Sequence, residues 1–212
     1  MSNILPIQLL KKGYKFIRKI IFGLFKKKPK ENCQQKVPKV QYSDGSWLTI
    51  EVTPDQKRIV NYLESLAPEN KHILHVGTGN SSFGQQFSIK NKVDSITVME
   101  DELTHAHSLN LPNYNCYLLN KYADDLKRLK NKYDFIVDNN PSSFACCKVH
   151  FIKMMHHYSS LLNNKGAIIT DTKGMAYHQS FAFPVTVEEL KQLFPDLLVK
   201  TSDCTVIITK NE

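Results

Sequence analysis

Short apolar runs that each end in a glycine or a polar residue, separated by stretches of helical periodicity, constrain this chain most. Ile73 to Val76 runs into Gly77, Ser95 to Met99 into Glu100, and Asn115 to Leu119 into Asn120. Tyr133 to Val137 then runs into Asp138, and Ala167 to Thr170 into Asp171. Such alternation predicts a parallel sheet with helices on both faces. Thr53-Pro54-Asp55-Gln56 opens a helix, with Pro54 suited to its first position and Ile59, Val60, Leu63 and Leu66 as its apolar stripe. His150 to Leu162 reads as another helix, closed by Asn163-Asn164-Lys165-Gly166 as a turn. Leu197 to Lys200 and Thr205 to Thr209 are joined by a short turn and must pair antiparallel. The expected fold class is therefore α/β, a three-layer sandwich around a mostly parallel sheet with a C-terminal antiparallel hairpin. Sheets of this kind bind ligands beyond the carboxyl ends of their strands, where this chain gathers its polar residues.

The first strand-end, HVGTGNSSFG at residues 75–84, narrows the ligand. A triphosphate loop needs a Lys after its glycines, and Asn80, Ser81 and Ser82 stand there instead. A dinucleotide turn wants a third glycine where Ser82 lies. Glu100 follows Gly79 by 21 residues, a spacing that suits a carboxylate on ribose hydroxyls. A chain of 212 residues leaves no room for the second domain of a typical dehydrogenase.

Residues 45–212 resemble the class I S-adenosylmethionine-dependent methyltransferases. The resemblance is carried by HVGTGNSS after an apolar strand, by Glu100 after the second strand, by YDFIVDNNPSS at the fourth, and by LLNNKGAIITD. It implies a Rossmann-like, seven-stranded sheet and S-adenosylmethionine as cofactor. It also implies that Gly77, Thr78, Gly79, Asn80 and Ser81 cradle the methionine end, because side chains at the glycines would collide with it. Glu100 would accept hydrogen bonds from the ribose, Asn120 would meet the adenine, and Asp138 would open a loop lining cofactor and acceptor. The family usually carries an acid two residues before the first glycine. Here His75 occupies that cofactor-facing position, and a neutral imidazole cannot offer the acid's charge.

Methyl transfer to a hydroxyl needs alignment and a base. The expected base is Asp138 first, then His178 in DTKGMAYHQSF, then Asp171. A histidine suits the task at neutral pH. A divalent metal between Asp138 and Asp171 is a conceivable but not favoured alternative. NNPSS matches only poorly the [DN]PP[YF] signature of amino-group methyltransferases on nucleobases.

Charge adds a location. Residues 1–40 hold 11 of the 28 Lys and Arg but one of the 20 acids, a net +10, while the remainder carries 17 basic and 19 acidic residues, a net −2. The basic character belongs to an arm, which argues against a nucleic-acid substrate. In residues 4–28, Leu10, Tyr14, Ile17, Ile21 and Leu24 recur at helical spacing between Lys11, Lys12, Lys15, Arg18 and Lys19. The charge-free run Ile20 to Phe25 is far short of the roughly 20 residues that span a bilayer. Residues 1–28 thus read as an amphipathic helix lying on an anionic membrane surface. Residues 29–46 read as a linker, and residues 47–212 as the methyltransferase domain. Five cysteines without a CxxC pair fit a reducing, cytoplasmic compartment. The reading is a peripheral enzyme at the inner membrane face that methylates a sugar or lipid-linked acceptor, as in polysaccharide biosynthesis. A non-catalytic membrane-recruited module, which His75 would favour, and an aminopropyltransferase are the alternatives. The second lacks the paired acids it needs after the fourth strand.

Overall fold

The computed structural model describes residues 45–142, 145, 147–176 and 185–211. The basic arm, most of the linker and His178 lie outside the described residues. The elements run α1 (Ser46–Thr49), α2 (Pro54–Ser65), β1 (His72–Val76), α3 (Ser82–Phe87), β2 (Lys92–Thr97) and α4 (Glu100–Ser108). They continue β3 (Tyr114–Leu118), a 3-10 turn (Asp124–Arg128), β4 (Tyr133–Asp138) and α5 (Lys148–Leu161). The last are β5 (Leu162–Asp171), α6 (Thr172–Ala176), α7 (Val187–Leu193), β6 (Leu197–Ser202) and β7 (Thr205–Lys210).

The strands form one seven-stranded sheet in the order β3-β2-β1-β4-β5-β7-β6. β1 through β5 pair parallel, and β7 pairs antiparallel with both β5 and β6. The α/β class and the terminal hairpin are thus as the alternation requires. Successive strand residues feed opposite cores. Leu74, Ile136 and Ile168 pack on one face with Phe151, Met154, Met155 and Tyr158 of α5. Ile73, Val137 and Ile169 pack on the other with Ile59 and Leu63 of α2 and Phe83 and Phe87 of α3. Each fully buried Leu or Ile contributes about 1.5–3 kcal/mol.

Three boundaries differ from expectation. Asn163 to Gly166 do not separate α5 from β5, because the strand starts at once at Leu162. The turn chemistry is accommodated inside the strand instead. Tyr133 pairs with Leu162 and Phe135 with Ala167, so the residues between them bulge out of register. A side chain at Gly166 would meet the Tyr133 carbonyl oxygen at 2.7 Å, so the crossing needs a glycine. β2 ends at Thr97, short of Glu100, because Thr97 Oγ1 takes the Met99 N–H at 3.0 Å and turns the chain into α4. β3 ends at Leu118, two residues before Asn120. The α2 start matches expectation, with the Gln56 side chain accepting the Thr53 N–H at 2.9 Å.

Candidate functional site

The site grows from the turn after β1. Gly77 and Gly79 have φ of +89° and +53°, and Ser81 one of +62°. A Cβ added at either glycine would meet nothing within 4 Å, so both α-carbons face open space. The turn is pinned from within. Gly77 N–H donates to the Ile96 carbonyl at 3.0 Å, and the buried Thr78 hydroxyl meets Ser95 Oγ at 2.9 Å and Cys116 Sγ at 3.3 Å. Asn80 Oδ1 accepts from Ser82 N–H at 3.1 Å, and Ser81 Oγ lies 3.4 Å from the Tyr114 hydroxyl. Open glycine α-carbons on a rigid turn make a cradle that any side chain would fill.

His75 precedes the turn. Its ring stacks on Phe83, with centroids 4.2 Å apart and planes 9° from parallel, and its Nδ1 lies 3.3 Å from Ser95 Oγ. Burial pulls its pKa down to about 4, so it is neutral at physiological pH.

Glu100 and Glu102 divide two roles. Glu100 opens α4 and is half-buried, and its carboxylate makes no hydrogen bond or ion pair with any described residue. Glu102, two residues further along, is buried and already engaged. Its Oε2 accepts the Gly79 N–H at 3.1 Å and the Thr97 hydroxyl at 2.6 Å. Burial raises the Glu102 pKa, and nearby Asp101 adds to the rise, while those two hydrogen bonds oppose it. From the same helix, His105 Nε2 reaches the Asn80 carbonyl at 3.3 Å.

At the end of β3, Asn120 Oδ1 accepts the Tyr122 N–H at 2.9 Å, which folds the carboxamide onto its own loop. Next to it, the buried Lys121 donates to both oxygens of Asp138 and to the Asn140 carbonyl, each at 3.0 Å. The Tyr158 hydroxyl adds a third donor to Asp138 at 2.9 Å. Burial lowers the Lys121 pKa against the pull of Asp138. Asp138 is fully buried, and both its oxygens are committed. This geometry suits an anchor for the loop that follows β4 better than a proton acceptor.

Asp171, at the end of β5, is equally occupied. Arg58 of α2 clasps it bidentately at 2.8 Å, and Lys173 N–H donates to it at 2.8 Å. Asn139 Nδ2 donates to Asp55 Oδ2 at 2.7 Å, tying the same helix to the β4 end. Each acid of the suggested metal pair thus has its own cation from the chain. Among the described residues no His, Cys, Asp and Glu group could hold a metal ion. A shallow hollow among Glu69, His72, Lys92, Asn113 and Asp134 lies at the opposite, amino end of the strands.

The structure therefore brings His75, Gly77, Thr78, Gly79, Asn80, Ser81, Glu100, Asn120 and Asp138 to one end of the sheet, and His178 lies outside the described residues. Glu102, His105, Lys121 and Arg58 were not anticipated in these places. A Glu and a His three residues apart in a helix share a face, and that spacing was the signal available for Glu102 and His105.

No family model matches the chain, and no curated protein sequence matches it. Solved structures do. The N-methyltransferase NodS from Bradyrhizobium japonicum WM9, in complex with S-adenosyl-L-homocysteine, aligns with a TM-score of 0.61. That alignment covers 78% of this chain and 95% of NodS at 11% identity. The CcbJ methyltransferase from Streptomyces caelestis aligns at 0.56, covering 76% of this chain and 91% of its own at 12% identity. A TehB-like SAM-dependent methyltransferase from Corynebacterium glutamicum also aligns at 0.56, covering 72% and 87% at 13% identity. At such identities the likeness is one of fold.

Proposed function

We propose that this chain, whose described domain has the fold of the class I S-adenosylmethionine-dependent methyltransferases, is itself such an enzyme. One observation carries the reading. The turn after β1 offers two glycine α-carbons to open space, and the unengaged Glu100 carboxylate stands just beyond the adjacent strand. A rigid glycine cradle beside a free carboxylate fits a nucleoside carrying an amino-acid tail. Gly77, Thr78, Gly79, Asn80 and Ser81 would hold the tail, Glu100 the ribose hydroxyls, and Asn120 the adenine edge. S-adenosylmethionine, when bound, supplies a methyl group already activated by its sulfonium.

The chain's own residues then align and deprotonate. Lys121 and Tyr158 fix Asp138, and through it the loop at Asn139–Pro141 that borders the cradle. With Asp138 and Asp171 both committed, His178 is the residue we assign as base, taking the proton from an acceptor hydroxyl. The acceptor we favour is a sugar or another lipid-linked small molecule at the cytoplasmic membrane face. The support for that location is the basic amphipathic pattern of residues 4–28.

Calorimetric titration of S-adenosylmethionine and S-adenosylhomocysteine into the full chain tests the cofactor assignment. Micromolar binding by the wild type, weakened at least about tenfold in Glu100→Ala, is the expected result. Absence of binding by the wild type would overturn it and favour the non-catalytic module that His75 suggests.

A further inference from the structure

We propose that Glu102 and His105 are positioning residues for the glycine turn, and that Glu102 also supplies the negative charge that His75 does not. On this view Glu102 favours a cationic sulfonium over its neutral thioether. The inference rests on the reading that the turn holds S-adenosylmethionine. Three observations converge on it. First, α4 grips successive residues of the turn: Glu102 takes the Gly79 N–H at 3.1 Å, and His105 Nε2 meets the Asn80 carbonyl at 3.3 Å. Second, the grip is itself braced. Met99 N–H donates to Thr97 Oγ1 at 3.0 Å, which leaves the Thr97 proton to point at Glu102. Third, Glu102 is buried, yet among the described residues no lysine, arginine or histidine forms an ion pair with it. A buried carboxylate without a cation is costly unless something else brings the positive charge. Asp138 and Asp171, the fully buried acids that end β4 and β5, have Lys121 and Arg58. Glu102 alone among these three is left for a ligand's charge to compensate, and it touches the turn where that ligand would lie.

The two cofactor forms share the ammonium, the carboxylate and the nucleoside. They differ in one charge, at sulfur, so the ratio of their affinities isolates the electrostatic part. Glu102→Gln keeps an oxygen acceptor for Gly79 and Thr97 but removes the charge. Titration into the full-length chain should show S-adenosylmethionine weakened at least about tenfold more than S-adenosylhomocysteine, because only the first carries a charge at sulfur. Equal weakening of both forms would overturn the charge role and leave a structural one. His105→Ala should weaken both forms alike, and unchanged affinity would overturn its positioning role. Thermal unfolding of each variant reports whether it is folded. A Gln variant that does not fold is replaced by Glu102→Asp, which keeps the charge and should keep the wild-type affinity ratio. A shifted ratio in that variant overturns the proposal. A wild type that binds neither form overturns the proposal together with the reading beneath it. A wild type that binds both, with a Gln variant of unchanged ratio, overturns the proposal alone.

Discussion

At His75, a buried ring is held neutral, and the consequence is measurable without any ligand. The folded imidazole titrates at about 4, against 6.5 for an unperturbed one. Between those values the unfolded chain takes a proton that the folded chain refuses, so stability falls as pH drops from 6.5 to 4. The loss is on the order of 3 kcal/mol. His75→Gln removes the titrating group, and urea unfolding should show a shallower decline across that window than wild type. An unchanged slope would mean that another group sets it. The residues most legible in the sequence were those with a backbone reason to exist, Gly77 and Gly79. Glu102 was hidden in the run Glu100-Asp101-Glu102, where composition cannot say which acid turns inward. Helix phase decides that, and the phase is set by where α4 begins. That start has no Ser, Thr, Asp or Asn cap to mark it, because Met99 occupies the position.

Between elements, side chains at the strand ends do the joining. The Lys121–Asp138 pair links the loop after β3 to the end of β4, and Tyr158 brings in α5. Removing one partner of a buried pair strands the other's charge, which costs roughly 3–5 kcal/mol. Lys121→Met should lower stability by that amount in chemical unfolding. Adding Asp138→Asn should recover much of it, since the stranded carboxylate is then gone. A double variant as unstable as the sum of the singles would refute the coupling. Nothing in the sequence pairs these residues, because they lie 17 positions apart and meet only once β2 and β1 have been laid between their strands. Asn163-Asn164-Lys165-Gly166 shows the opposite case. The turn signal is genuine, yet sheet pairing on both sides of it keeps the chain in the strand as a bulge.

Across the whole molecule, the sheet separates its work by pole. The glycine turn and the strand-end acids crowd the carboxyl ends, while the amino ends carry a polar knot on Asp94. Asp94 is fully buried and accepts from His72, Asn115, Asn131 and Tyr133 at 2.9–3.1 Å. Burial works to raise its pKa, but these hydrogen bonds outweigh burial and hold it at about 2. The alternation of strands and helices was enough to read the fold class, since the right-handed crossover of parallel strands leaves few topologies. The acceptor was not readable, because no element of the fold encodes it. The split of charge between arm and body makes a whole-chain prediction. The full protein should pellet with vesicles containing anionic lipid and release as salt rises, and deletion of residues 1–28 should abolish pelleting. A truncated form that still pellets would refute the arm's role. The sheet order also dictates how the protein must be assembled as it is made. β7 follows β6 in the chain but lies between it and β5, so β6 reaches the sheet only through a strand synthesised after it. A ribosome that stalls before Thr205 would display β5 as a bare edge, a row of unpaired backbone groups open to any passing strand. A window of exposure to aggregation therefore opens once β5 has been made, and it closes only when β7 slots in beside it.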